Sequence, residues 1–359
     1  MTKMLKSIKA AAALCLLIIC GVIGSGGVAR PAEQCGPFGD PPAQVTGKLK
    51  ADCEGGDTLG PWKDRDGTDR WACVYPPASA KSTAKLPMLV YLHPSYFAPE
   101  LTIKRTNLLE LRETFPLGGD SKTPGFILLA PLGRDTTHYY AYPNNRGVGW
   151  DNWYRQLNPA GDVKLGSTVY HENVDAAAID HFIAAEVATG KVDTRRIYIS
   201  GWSNGAAMGY LYALNRPNVA ALAVYSSPNP FGAFVDPCDQ KPIAGKPADG
   251  TEIQIFNPQV PTMQVHNSCD IAGMCPNSEQ LTTQLRKAGV AVEDVIIDSY
   301  GHRVDQCYAW CGVNPNGDMN ALTNPLGFSL GTYNHNQWPA AWTSDMFDFL
   351  RSHPADAAR

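Results

Sequence analysis

The sequence predicts an α/β protein with a mostly parallel, doubly wound sheet and helices on both faces. Six short runs are apolar on both sides and rich in β-branched residues, which is typical of buried parallel strands. They cover residues 86–93, 125–131, 196–200, 221–227, 261–266 and 292–299. Segments with helical spacing of apolar residues alternate with these runs, at 174–190, 204–217, 277–289 and 340–354. This alternation favours parallel strands joined by helices.

Residues that start or stop a helix mark the ends of these segments. Gly190 and Gly289 follow the first and third segments, where glycine commonly ends a helix. The second segment begins at Asn204 and ends before Pro217, whose ring disfavours a helical residue in front of it. With 359 residues and 44% hydrophobic residues, the chain can bury one large core.

The N-terminus has the layout of a cleaved secretory signal peptide over residues 1–29. Lys3, Lys6 and Lys9 precede an apolar run that reaches Ile23, and small residues follow up to Ala29. A membrane span would need a longer run, of ~20 apolar residues. We therefore expect export to the periplasm or outside the cell, and no stable membrane span after cleavage.

Cysteine content agrees with export, because eight cysteines follow the signal segment and an even number in an exported chain predicts disulfides, here up to four. Their pairing stays open, and they are Cys35, Cys53, Cys73, Cys238, Cys269, Cys275, Cys307 and Cys311. None forms a C-x-x-C pair and their spacings are irregular, so a zinc site is not indicated. No other feature of the sequence signals a cofactor.

Three regions follow from these features. Residues 30–85 are rich in Gly, Pro, Asp and Cys, and are expected to be an irregular segment with one or two short strands, packed on the core. Residues 86–359 form the α/β domain, with loop insertions at 132–170 and 303–338. Loops of that size in a compact domain are usually functional.

The net charge of the chain is −4, so the sequence shows no basic surface of the kind that binds nucleic acid.

One pentapeptide points to chemistry. Gly201-Trp-Ser-Asn-Gly205 lies between a predicted strand and a predicted helix, the context in which G-x-S-x-G forms a nucleophile elbow. The two glycines are expected because a β-carbon would clash in so sharp a turn. Ser203 is therefore the candidate nucleophile of an acyl-transfer enzyme, and the alternative is a serine flanked by glycines by chance.

An acid and a histidine should follow Ser203 along the chain in that order. Asp270 lies four residues beyond the strand predicted at 261–266 and is the candidate acid. His302 lies just after the last predicted strand and is the preferred base. His335, shortly before the final helix in "NHNQWP", is the alternate. For the oxyanion hole we expect the backbone N–H of Asn204 and one from the loop after the strand at 86–93. Pro94 has no N–H, so the second donor is Ser95 or Tyr96, and Ser95 is preferred.

With these residues in place, the chain resembles the secreted polyhydroxybutyrate depolymerase type of esterase, a family of the α/β-hydrolase superfamily that includes feruloyl and acetyl-xylan esterases. The stretches that carry the resemblance are "VYLHPSYF", "GVGWDNWY", "VDTRRIYISGWSNGAAM", "YGH" and "WP", within residues 86–352. The resemblance implies an α/β-hydrolase fold, a serine esterase and an ester substrate, polymeric esters included. The chain departs from the family at Pro94, where glycine is usual, and in the long insert between His302 and Trp338.

Aromatic residues near the predicted sheet edge are candidates for holding an ester chain. We expect substrate contacts from Trp202, Trp150, Trp153 and Tyr96, although such residues are also common in cores. Other hypotheses are a feruloyl or acetyl-xylan esterase, a serine peptidase, and a non-catalytic binding protein on the same scaffold. The sequence leaves the acid and alcohol parts of the ester and the oligomeric state open.

Overall fold

The computed structural model describes residues 49–65, 67–81, 84–95, 102–136, 147–150, 163–165, 168–170, 173–231, 255–267, 270, 277–297 and 334–355. The described strands are β1 (Asp57–Lys63), β2 (Asp69–Tyr75), β3 (Leu86–Leu92), β4 (Ile127–Pro131), β5 (Arg134–Thr136), β6 (Gly147–Gly149), β7 (Val163–Leu165), β8 (Thr168–Tyr170), β9 (Val192–Trp202), β10 (Ala221–Tyr225), β11 (Thr262–Asn267) and β12 (Val292–Ile297). The described helices are α1 (Leu108–Thr114), α2 (Val174–Ala188), α3 (Asn204–Ala213), α4 (Asn277–Lys287) and α5 (Thr343–Ser352), with short 3₁₀ turns at Ala78–Lys81 and Ala340–Trp342.

A single eight-stranded sheet runs through the molecule in the order β1-β2-β4-β3-β9-β10-β11-β12. The strands from β4 to β12 in this order pair in parallel. The two remaining pairings, β1 with β2 and β2 with β4, are antiparallel, so β2 alone runs against the other strands of this sheet. The inner strands β3, β4 and β10 are buried along their whole length, as their continuous apolar runs predict. The predicted mostly parallel sheet is confirmed.

Helices cover both faces of this sheet. Successive side chains of a strand point to opposite faces, so each inner strand contributes to two apolar clusters. Met88 and Val90 of β3 belong to an apolar cluster shared with α2, α3 and α4. Leu89 and Tyr91 of the same strand belong to a second cluster, shared with α1 and α5. The two clusters are the two halves of the core, which confirms the doubly wound arrangement.

Helix boundaries lie close to the predicted ones. Asn173 caps α2, and its side-chain oxygen accepts hydrogen bonds from the N–H groups of Asp175 and Ala176, at 2.9 and 3.1 Å. Gly190 and Gly289 follow the ends of α2 and α4 with φ of 76° and 84°, a left-handed conformation that glycine adopts without steric cost.

The described part of the N-terminal segment contributes two strands, where one or two short strands were expected. β1 and β2 join the central sheet at one of its edges through antiparallel pairings. A disulfide joins Cys53 to Cys73 of β2, with 5.3 Å between their Cα atoms, so one of the predicted disulfides is confirmed. The other six cysteines lie outside the described residues. The short α1 and the hairpins β5–β6 and β7–β8 were not predicted.

No helix within the described ranges is long and apolar enough to cross a membrane. The predicted signal segment lies outside those ranges, as does residue 30 to 48 of the N-terminal segment. Among the described side chains, no group of three or more His, Cys, Asp or Glu residues could hold a metal ion.

Candidate active site

Ser203 occupies a strained turn between β9 and α3. Its φ of 56° and ψ of −121° place a residue with a β-carbon in a left-handed region that costs about 1–3 kcal/mol. Its N–H donates to the carbonyl of Tyr225 at 3.1 Å, and its own carbonyl accepts from Ala207 N–H in the first turn of α3. The turn presents the hydroxyl at the carboxyl edge of the sheet, as G-x-S-x-G predicts.

Two glycines allow this turn to form. A β-carbon on Gly201 would lie 2.5 Å from the carbonyl oxygen of Gly205. A β-carbon on Gly205 would lie 2.1 Å from the carbonyl oxygen of Leu92 and 2.5 Å from that of His93. Both contacts are with backbone atoms, which cannot rotate away as a side chain could. The predicted steric reason for the two glycines is confirmed.

The Ser203 hydroxyl faces a histidine and an acid. His335 Nε2 lies 2.8 Å from Ser203 Oγ, and His335 Nδ1 lies 2.9 Å from Asp270 Oδ1. Asp270 is completely buried, and the His335 side chain is 15% exposed. A carboxylate only accepts hydrogen bonds, so Nδ1 carries the proton and Nε2 has its lone pair directed at the hydroxyl.

The structure brings His335, the alternate of the two predicted bases, into contact with both Ser203 and Asp270. Both ring nitrogens of His335 are engaged, one with each partner, so the base position between Ser203 and Asp270 is filled. His302 itself lies outside the described residues. The sequence favoured it because it follows the last strand directly, whereas His335 is reached only through the 303–338 insertion.

Side chains at the ends of two strands hold the backbone around His335. The indole N–H of Trp202 donates to the His335 carbonyl at 2.9 Å. The Tyr225 hydroxyl donates to the Asn334 carbonyl at 3.0 Å. Burial, with the charge of Asp270 adding to it, raises the pKa of Tyr225 well above its usual range, so the phenol keeps its donor proton. The histidine is thus fixed by the elbow strand β9 and its neighbour β10.

The other side of the site is the loop after β3. His93 is completely buried, with Nδ1 2.7 Å from the Pro94 carbonyl, and its Nε2 accepts from Gly133 N–H at 2.9 Å. The Trp150 indole N–H donates to the His93 carbonyl at 2.8 Å. The Asn204 side chain accepts from the Trp150 backbone N–H at 2.8 Å. These bonds tie the loop to the start of α3.

His93 is neutral in this setting. Burial lowers its pKa to about 4, since the charged imidazolium would lose its water. A neutral ring has one donor and one acceptor nitrogen, which matches a donor at Nδ1 for Pro94 and an acceptor at Nε2 for Gly133. Ser95, the expected oxyanion donor, comes two residues later and is partly exposed.

The predicted substrate contacts need correction. Trp150 is 0% and Trp202 is 3% exposed, and their indole N–H groups are bonded to backbone carbonyls. Both are structural supports of the site and offer no surface to a substrate. Trp153 and Tyr96, the other two candidates, lie outside the described residues.

Two residues of the site were not predicted. Tyr225 and Ser226 lie within the run "ALAVYSS" at 221–227, whose apolar pattern predicts only a strand. Ser226 is completely buried, has a φ of 57°, and contacts both Asp270 and His335. The sequence did offer one signal for Ser226. It follows the strand β10, which lies between the strands that precede Ser203 and Asp270, so its side chain is expected at the same edge of the sheet.

The strand order, together with a serine elbow between a central strand and a helix, defines an α/β-hydrolase fold. No protein-family model matches the sequence, and no curated protein was found to be related to it. Solved structures with a similar fold include a thermostable esterase, with a TM-score of 0.43 and 17% identity over 84% of this chain and 64% of that one. The chain thus spans less than two thirds of that esterase.

Two further structures are an acetyl xylan esterase from Aspergillus awamori and an S-formylglutathione hydrolase from Agrobacterium tumefaciens. The first has a TM-score of 0.45 and 15% identity, over 70% of this chain and 82% of that one. The second has a TM-score of 0.47 and 12% identity, over 84% and 98%. Structural similarity at this level does not indicate which reaction the protein catalyses. Activity has to be inferred from the residues of the site.

Proposed function

We propose that this protein is a serine hydrolase that cleaves carboxylic esters through an acyl-enzyme. The observation that carries the proposal is the pair of contacts made by one imidazole, 2.8 Å to Ser203 Oγ and 2.9 Å to Asp270 Oδ1. Both distances are within the range for proton transfer along a hydrogen bond. The strained φ of Ser203 supports the same conclusion, because strain of this kind clusters at active sites.

The reaction follows from the positions of these groups. His335 Nε2 takes the Ser203 proton as Oγ attacks the ester carbonyl, and Asp270 stabilises the imidazolium that forms. The same imidazolium then protonates the departing alcohol, which leaves an acyl group on Oγ. Water, activated by the neutral imidazole, releases the acid and restores Ser203. No cofactor is required for these steps.

The oxyanion of the tetrahedral intermediate needs backbone donors. We assign Asn204 N–H, at the start of α3, and Ser95 N–H, in the loop after β3, to this role. The bonds that join Asn204 to Trp150 and Trp150 to His93 support this assignment, because they couple the two donor segments.

For the substrate we propose oligomeric or polymeric 3-hydroxyalkanoate esters, on the strength of the sequence resemblance to polyhydroxybutyrate depolymerases. Plant-wall esters, feruloyl or acetylated xylan, are the alternative that the same resemblance allows. We further propose that the protein acts outside the cytoplasm. The basic and apolar N-terminal segment and the Cys53–Cys73 disulfide support export, since disulfides persist in oxidising compartments.

The test compares the oxidised wild type with Ser203→Ala, His335→Ala and His302→Ala on p-nitrophenyl esters, 3-hydroxybutyrate oligomers, methyl ferulate and acetylated xylan. We expect Ser203→Ala and His335→Ala each to lose about three orders of magnitude or more in kcat. His302→Ala should retain most of the activity. The preferred substrate in the panel identifies the ester class.

An inactive wild type on every ester would overturn the proposal in favour of a peptidase or a binding protein. Peptide p-nitroanilides added to the panel separate those two outcomes. Equal losses in His302→Ala and His335→Ala would contradict the assignment of His335 as the base. Cell fractionation with N-terminal sequencing of the mature chain tests export, and an uncleaved cytoplasmic chain would refute it.

A further inference from the structure

A second buried serine lies beside the acid and the base. Ser226 directly follows β10, and its hydroxyl donates a hydrogen bond to Asp270 Oδ2. The same oxygen lies 2.6 Å from His335 Nδ1, which in turn lies 2.9 Å from Asp270 Oδ1. The Ser226 hydroxyl therefore contacts the carboxylate and the imidazole at once.

The protons of this group can be placed by elimination. The ionised Asp270 only accepts, so the single Ser226 proton is donated to Oδ2. The Ser226 lone pair then faces His335 Nδ1, which must be the donor in that contact. Nδ1–H is thereby shared between Asp270 Oδ1 and Ser226 Oγ, and Nε2 is left with a lone pair for Ser203. The four contacts among Ser203, Ser226, Asp270 and His335 fit one arrangement, and it is the tautomer that the proposed reaction needs.

The backbone at Ser226 is strained. Its φ of 57° is left-handed, a conformation that is unfavourable for a residue with a β-carbon and that glycine would adopt freely. Ser226 N–H donates to the Val265 carbonyl of β11 at 2.8 Å, which holds this conformation. The strain is tied to the position of the side chain, since the turn directs Oγ between Asp270 and His335.

From this geometry we infer that Ser226 is a positioning residue of the proposed hydrolase, a fourth member that fixes the Asp270 carboxylate and the His335 tautomer. The inference rests on the proposed function. Ser226 orients the carboxylate through Oδ2 and accepts part of the Nδ1–H bond, and it touches neither Ser203 nor the reacting carbonyl. Its loss should slow the chemical steps and leave substrate binding unchanged.

The experiment uses Ser226→Ala, Ser226→Gly and a matched control, Ser227→Ala. Ser227 is the next residue and also buried, but its hydroxyl donates to the Pro228 carbonyl. We expect both Ser226 variants to lose 10- to 100-fold in kcat, the range for a misaligned catalytic group, with KM within about twofold. Ser227→Ala should keep the kcat of the wild type. Ser226→Gly accepts the left-handed φ, so it covers the case in which Ser226→Ala does not fold.

A second readout needs no substrate. The hydrogen-bonded His335 Nδ1 proton should give a downfield ¹H resonance that is absent in His335→Gln, shifted in both Ser226 variants and unchanged in Ser227→Ala. Wild-type kcat in Ser226→Gly, or an unshifted resonance, would overturn the inference. If the wild type cleaves no ester while the resonance shifts as expected, the proposed function fails and the hydrogen-bond assignment of Ser226 stands.

Discussion

Replacing Gly205 by alanine tests the elbow directly. The added β-carbon would lie 2.1 Å from the Leu92 carbonyl oxygen, and real β-carbons essentially never approach closer than 3.0 Å. The start of α3 must therefore move away from β3 by about 0.9 Å. Ser203 immediately precedes α3, so its 2.8 Å contact with His335 moves with it.

A displacement of this size has two measurable effects. A catalytic group misplaced by about 1 Å costs on the order of 100-fold in rate, so kcat/KM on the best ester of the panel should fall by about that factor. Forcing a methyl group against backbone atoms costs about 3 kcal/mol in the free energy of unfolding, measured by urea denaturation. Active-site titration corrects the rate for any unfolded fraction.

Gly209→Ala is the matched control within the same helix. Its β-carbon would first meet the Leu222 side chain at 3.3 Å, which can adjust. Alanine also favours the helix by about 0.5–1 kcal/mol over glycine, so stability should be equal or higher and kcat/KM unchanged. The steric reasoning is refuted if Gly205→Ala keeps wild-type activity, or if the two variants lose activity equally.

Two further predictions concern the supports of the site. The pKa of His93 is about 4 in the folded protein against 6.5 in an exposed histidine, so the unfolded chain binds a proton first as the pH falls. We expect protonation of His93 to lower the free energy of unfolding by about 3 kcal/mol between pH 7 and pH 4. The curve of unfolding free energy against pH should therefore be flatter for His93→Gln than for the wild type. Identical slopes for the two proteins would contradict the lowered pKa of His93. Trp202→Phe removes the indole N–H that bonds the His335 carbonyl, worth about 1 kcal/mol, so kcat should fall on the order of fivefold with KM unchanged. A change confined to KM would instead indicate that Trp202 touches substrate.

The predicted strands and helices that proved correct share a simple physical signal. Runs such as "LPMLVYL" are apolar on both sides because they lie between two helical layers, and β3 is buried along its whole length. The short α1 carries no comparable signal, since its seven residues bury only Leu108. The edge strand β1 is mostly exposed, so its sequence lacks the apolar pattern of a strand and resembles a loop. Its partner β2 carries the buried side chains of this pair.

Some residues of the site can be predicted from a local pattern and others cannot. Ser203 can, because the turn that presents it is specified by five consecutive residues. The choice between His302 and His335 depends on how a long insertion returns to the sheet, which no local pattern encodes. Trp202 illustrates a third case, because an aromatic residue next to a nucleophile suits both substrate contact and packing, and only its burial decides.

Three neighbouring strands end in the residues of the site, with Ser203 after β9, Ser226 after β10 and Asp270 after β11, and His335 arrives 132 residues after Ser203. Contacts of such high sequence separation form late in folding, because the entropy of closing the intervening loops opposes them. A nascent chain that has not yet reached residue 335 holds every described strand of the sheet but lacks the base of the proposed reaction. Activity of the proposed hydrolase would therefore report the completion of folding, and an intermediate that stalls before α5 docks is expected to be inert.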